Sequence, residues 1–170
     1  MKKLLCISAV IALSACSMTK DQVAPTADEL FANYKDNAQK LVSLISQKGN
    51  DAKVEEYSET LVEVSQPIIK AFIAKFPQCD EYLTAVSKAA DIIPTLPLSE
   101  IESGYHADGK LPQLTDANCY HAKDLLVHPA TVQAMAVIGI KTDKQREQAK
   151  HEVEEVLTHF AQVETAFKGL

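Results

Sequence analysis

Residues 143–167 read DKQREQAKHEVEEVLTHFAQVETAF, and in them Ala149, Val153, Val156, Leu157, Phe160, Val163 and Phe167 recur every three or four positions. That spacing gathers the apolar side chains on one face of a helix and leaves charged and polar residues on the other. Asp143 is expected to cap it. Earlier in the chain, Thr26 and Glu29 stand in capping-box relation ahead of Leu30, Phe31, Tyr34, Ala38, Leu41, Leu44 and Ile45, with Gly49 as the expected stop. Val54, Tyr57, Leu61, Val64, Ile68, Phe72 and Phe76 repeat the pattern through Pro67. An internal proline removes a helical hydrogen bond, so two collinear or kinked helices are expected, broken near Ser65 and restarted at Pro67.

Cys79, Tyr82, Leu83, Val86 and Ala90 predict a third helix closed by Pro94. Residues 94–115 hold three prolines and two glycines and form the least regular stretch, with Ser99 and Glu102 expected to cap one short turn. A helix from about Asp116 to Val127 follows. Pro129 then opens Ala130 to Ile140, which is apolar nearly all round and therefore expected at the centre of the core. No run alternates with the period of a strand. The fold class is all-α, an antiparallel bundle of about five to six helices with one long irregular segment.

The amino terminus has a different grammar. Lys2 and Lys3 precede an apolar run from Leu4 to Leu13, about half the ~20 residues a membrane-spanning helix needs, which is the layout of a signal peptide. The run ends in Leu13-Ser14-Ala15-Cys16, which resembles the lipobox of bacterial lipoproteins. The resemblance implies removal of residues 1–15, acylation of Cys16, and a membrane partner held through that lipid. Ser17, rather than an aspartate, stands after the cysteine, which in a Gram-negative envelope implies the outer membrane, facing the periplasm. Residues 16–25 then read as the lipidated cysteine and a short tether, and residues 26–170 as one domain.

The chain carries 17 basic and 23 acidic residues, and without Lys2 and Lys3 the balance is 15 against 23, a charge of −8. Phosphate binding needs clustered positive charge, so nucleic acid is not an expected partner. Once Cys6 leaves and Cys16 is acylated, Cys79 and Cys119 are the two thiols left in an oxidising compartment, where a disulfide between them is expected.

Signatures of catalysis are missing: there is no Gly-x-Ser-x-Gly elbow, no phosphate-cradling loop and no His-Glu-x-x-His zinc helix. His151-Glu152 begins the last of these, but Glu155 stands where its second histidine would. The polar concentration of the chain is Tyr105, His106, Asp108 and Lys110, followed by Tyr120, His121, Lys123, Asp124 and His128, and it is the candidate binding surface. On one helix His121, Asp124 and His128 fall at offsets of three and seven, so they share a face and present two imidazoles and a carboxylate, a donor set suited to zinc or copper. The competing reading is a polar surface with no cofactor, in which Asp108-Gly109 is a turn and His128 caps the helix after Pro129. His151 and His159, with Glu155 between them, read as a solvated helix face.

Gly104-Tyr105-His106-Ala107-Asp108-Gly109 also resembles, at Gly104 and His106 alone, the Gly-x-His-x-x-Glu signature of imelysin-like envelope proteins, helical bundles linked to iron uptake. Gly109 takes the place of the glutamate. Two functions follow as expectations. One is a lipid-anchored, non-enzymatic envelope bundle that binds another envelope protein or a small ligand. The alternative is a metal-binding or metal-trafficking lipoprotein that uses His106, His121, Asp124 and His128.

Overall fold

A computed structural model describes residues 25–169, so the expected signal peptide, Cys16 and most of the tether lie outside the described residues. Six α-helices and no strand occur among the described residues: α1 (Ala27–Ser46), α2 (Asp51–Lys75), α3 (Asp80–Lys88), α4 (Leu98–Ile101), α5 (Ala117–Ile138) and α6 (Asp143–Lys168). The all-α bundle is therefore present. Helices α1, α2, α5 and α6 form a ring in which each packs on the next and α6 closes on α1, while α3 and α4 lie against α5.

The caps explain where the long helices begin. Thr26 and Glu29 form the expected capping box, whereas α6 is capped by a second box of Thr142 and Gln145, with Asp143 already inside the first turn. At the end of α1 the left-handed residue is Lys48 (φ 57°) rather than Gly49. Gly49 follows it because a Cβ there would lie 2.4 Å from Leu44 Cδ1.

Both internal prolines overturn the expected breaks. α2 runs unbroken through Pro67, and α5 runs unbroken through Pro129. A proline leaves the carbonyl four residues earlier without its helical donor. Behind Pro67 that carbonyl belongs to Glu63, an exposed position where water can serve it. Behind buried Pro129 it belongs to Leu125, and the Tyr34 hydroxyl donates to it at 2.7 Å. The chain thereby keeps one helix where the local rule predicts two.

The stretch expected to be irregular is more ordered than its prolines suggest. A 3-10 turn spans Ile93–Thr95, and α4 passes directly into a π-helical turn, Glu102–His106. Ser99 and Glu102 form no capping box: the N-cap of α4 is Pro97, with no side-chain bond, and Glu102 stands at its C-cap. Residues 96–97 and 107–116 lack regular structure.

The core is aliphatic with an aromatic end. Tyr34 stacks on Phe160 with centroids 5.4 Å apart and planes 4° from parallel, and Phe31 meets Phe160 and Phe167 edge-on. α5 is the central element, buried from Ala122 to Val132. Its last turn is not central as expected, since Val137 and Ile138 are 57% and 53% exposed. The sulfurs of Cys79 and Cys119 are bonded and fully buried, with their Cα atoms 5.4 Å apart. The bond ties the start of α3 to the first turn of α5.

Candidate metal centre

Four ionisable side chains sit inside α5's buried stretch or at its edge: His121, Lys123, Asp124 and His128. Burying charge is costly unless each group finds a partner. Lys123 finds several. Its ammonium donates to the carbonyls of Tyr105 and His106, each at 3.1 Å, and to Asp108 Oδ1 at 3.0 Å, and it lies 4.1 Å from the centre of the Tyr120 ring. The Tyr82 hydroxyl donates to the same Asp108 oxygen at 2.8 Å, and burial with that carboxylate beside it pushes the phenol's pKa up. Asp108 takes the left-handed conformation (φ 61°) to reach both.

Much of the sequence-predicted surface is therefore interior. Tyr105, Asp108, Tyr120 and Lys123 clamp the turn after the π helix onto α5, and Lys123 itself has no exposure. Lys110 alone stays at the surface, paired with Glu100 at 3.1 Å.

Asp124 is served differently. Its side chain is 1% exposed, and neither oxygen receives a hydrogen bond of acceptable geometry. Lys123 Nζ stands 3.5 Å from Oδ1, and His159 Nδ1 stands 3.0 Å from Oδ2 but out of line. Burial pushes the Asp124 pKa up to about 6, against the pull of the Lys123 and His128 charges. His159 is pushed down to about 4, chiefly by burial and then by His128, His121 and Lys123.

His121 completes this group, its Nδ1 2.9 Å from His159 Nδ1. Burial lowers the His121 pKa too. A single proton can lie between two facing imidazole nitrogens, so lone pairs from His121, His159 and Asp124 converge on one small volume. Their donor atoms all lie within 4.8 Å of one another. Two imidazole nitrogens and a carboxylate match zinc and copper(II) preferences.

His128 takes another direction. Its Nδ1 donates to Glu152 Oε2 at 2.6 Å rather than facing His121, and His106 Nε2 lies 3.8 Å from the same oxygen. Burial alone would lower the His128 pKa, but the bond to Glu152 and its charge, with Asp124 beyond, hold it above the ordinary value. The edge of the His128 Nε2 faces Asp124 Oδ1 at 3.9 Å, and the His128 and His159 rings lie 5.8 Å apart.

His121 and Asp124 are thus brought together as the helix spacing predicts, and their third neighbour comes from α6. The sequence places His159 on a solvated face with His151 and Glu155, and singles out Glu152 only in an incomplete zinc pattern. His159 and Glu152 are seven residues apart and each precedes a buried stripe residue, Phe160 and Val153. That places both on the flank of the stripe, at the seam with α5, whereas His151 points to solvent with 69% of its side chain exposed.

No protein-family model matches the chain, and neither a curated protein nor a solved structure is significantly similar to it. Among the described residues no helix is long and apolar enough to cross a membrane.

Proposed function

We propose that this protein is a lipid-anchored, non-enzymatic component of the bacterial envelope that binds a zinc or copper ion between α5 and α6, through His121, Asp124 and His159. The observation that carries the reading is the Asp124 carboxylate: buried, with the Lys123 ammonium 3.5 Å from Oδ1 but shared with Asp108 and two carbonyls, and flanked by two imidazole nitrogens that themselves lie 2.9 Å apart. Buried carboxylates in folded proteins are paired or coordinate metals. A divalent ion would draw on all three lone pairs and satisfy the carboxylate.

Anchoring rests on the lipobox-like Leu13-Ser14-Ala15-Cys16, with Ser17 favouring the outer membrane. Two acyl chains or more hold such a protein stably at the membrane. The domain would then hold its ion within a short tether of the membrane surface.

Elemental analysis of mature protein, purified without a histidine tag and reloaded with Zn(II) or Cu(II), tests the reading. At least one equivalent of metal in the wild type, and the loss of one equivalent in Asp124→Ala and in His159→Ala, are expected. A wild type that takes up neither ion at micromolar concentration overturns it.

A further inference from the structure

We propose that His106, His128 and Glu152 form a second metal site, separate from the buried one, whose vacant coordination position opens into a surface cavity. The inference rests on the reading of the protein as a metal binder and extends it to a different set of ligands. Three elements meet here: His106 ends the π-helical turn, His128 lies in the middle of α5, and Glu152 comes from α6. Glu152 Oε2 stands 2.6 Å from His128 Nδ1 and 3.8 Å from His106 Nε2, and one donor atom from each residue falls within 4.8 Å of the others. The rings of His106 and His128 cross at 75° with centroids 4.8 Å apart, so they approach the carboxylate from different directions rather than lying stacked.

The second site opens to solvent through a cavity of its own. His106 and Glu152 line a cavity of about 380 Å³, bounded on its apolar side by Leu98 and Met135. His128 lies behind them, its side chain 6% exposed. A metal held by these three residues has protein on one side and the cavity on the other. Sites with three protein ligands and one open position are those at which metal exchanges a small ligand, whereas closed sites are structural.

Binding moves a proton on each ring. The Thr131 hydroxyl donates to the Val127 carbonyl, so it accepts from His106 Nε2 at 2.9 Å, and His128 Nδ1 donates to Glu152. The ion takes the place of the proton on each ligating nitrogen, and each ring takes one up from solvent on its other nitrogen, so both imidazoles stay neutral and no net proton is released. His128 then carries its proton on Nε2, the nitrogen that faces Asp124 Oδ1. A carboxylate behind a metal-bound imidazole fixes its tautomer and raises its basicity. Asp124 therefore stands between the sites, with one oxygen toward each.

The test titrates metal-free, mature lipidated protein in detergent with Zn(II) against a chromophoric chelator, and with Co(II) by absorption. The wild type is expected to bind two equivalents. Glu152→Gln, which keeps the shape of the residue, and His106→Ala should each leave one. Thiocyanate should shift the cobalt band that these variants remove. One wild-type equivalent, insensitive to both variants, overturns the second site and leaves the buried one standing. One equivalent lost in Glu152→Gln but retained in Asp124→Ala supports the cavity site and overturns the buried one. No binding overturns both. If a variant fails to fold, thiocyanate on the two-cobalt wild type decides: an unchanged spectrum overturns the open position.

Discussion

The Tyr34 hydroxyl of α1 donates to the Leu125 carbonyl of α5 across 2.7 Å, filling the place of the N–H that Pro129 lacks. Tyr34 has no exposure, so that carbonyl has no access to water from this side. Tyr34→Phe should cost about 1–3 kcal/mol, the range for leaving one buried acceptor unserved. In a Pro129→Ala background the helix supplies its own donor, and the same change should cost clearly less. Urea unfolding of the four proteins measures the coupling; equal costs in both backgrounds would disprove the compensation.

Lys123 sits at the centre of a buried polar cluster and is the residue whose loss should hurt most. Lys123→Met leaves Asp108 and two carbonyls facing a gap in charge, and removing one partner of a buried pair typically costs about 3–5 kcal/mol. The turn at residues 107–111 should lose protection in hydrogen exchange before any part of α2 does. A variant with wild-type stability and exchange would show the ammonium to be dispensable.

In metal-free protein Asp124 and His159 should tilt stability in opposite directions with pH. The folded Asp124 pKa, about 6, lies above its ordinary 3.8, so the folded state holds this proton more tightly and the group erodes stability as pH rises through that interval. The folded His159 pKa, about 4, lies below its ordinary 6.5, so the unfolded state binds that proton more tightly and stability rises with pH from 4 to 6.5. Asp124→Asn should therefore make the metal-free protein gain stability more steeply from pH 4 to 6.5, and His159→Gln should do the reverse. Denaturation midpoints across that range check both signs. Parallel shifts in the two variants would contradict the assignment.

How far the sequence could be read depended on whether the deciding interaction was local. Capping of α1 by Thr26 and Glu29 and the stripe from Ala149 to Phe167 are local, and both are present. The continuity of α5 through Pro129 is not, because it depends on a hydroxyl from a residue 91 positions away from its acceptor. His121 and Asp124 could be paired from helix spacing alone. His159 and Glu152 could not, since only the packing of α6 on α5 turns a stripe's flank into a seam. Lys123 was read as surface because a buried lysine is rare, and its partners lie in a turn whose path no periodicity predicts.

The disulfide closes the region that has least packing of its own. Removing both cysteines as Cys79→Ala with Cys119→Ala should lower stability by about 4 kcal/mol on the loop-entropy estimate. Hydrogen exchange should rise most in residues 107–116, the longest stretch between the two cysteines with no regular structure. Uniform loosening of the whole bundle instead would argue against a local restraint.

Replacing the proposed anchor gives a cellular test. Cys16→Ser should abolish palmitate labelling and release the protein from the membrane fraction, while the domain, whose first cap is Thr26, keeps its helical circular dichroism. Wild-type protein that never incorporates lipid would remove the anchor from the proposal.

The π-helical turn at Glu102–His106 amounts to a helix with one residue too many, since each π turn closes its hydrogen bond a residue later than an α turn does. Advancing one residue along an α-helix turns a side chain through about 100°. Without the wider turn, an extra residue would therefore swing the histidine that meets Thr131 and Glu152 about a quarter-turn aside; the π turn absorbs it and keeps the imidazole in register. The turn thus acts as a spacer, adding a residue to the segment without changing which way its last side chain points.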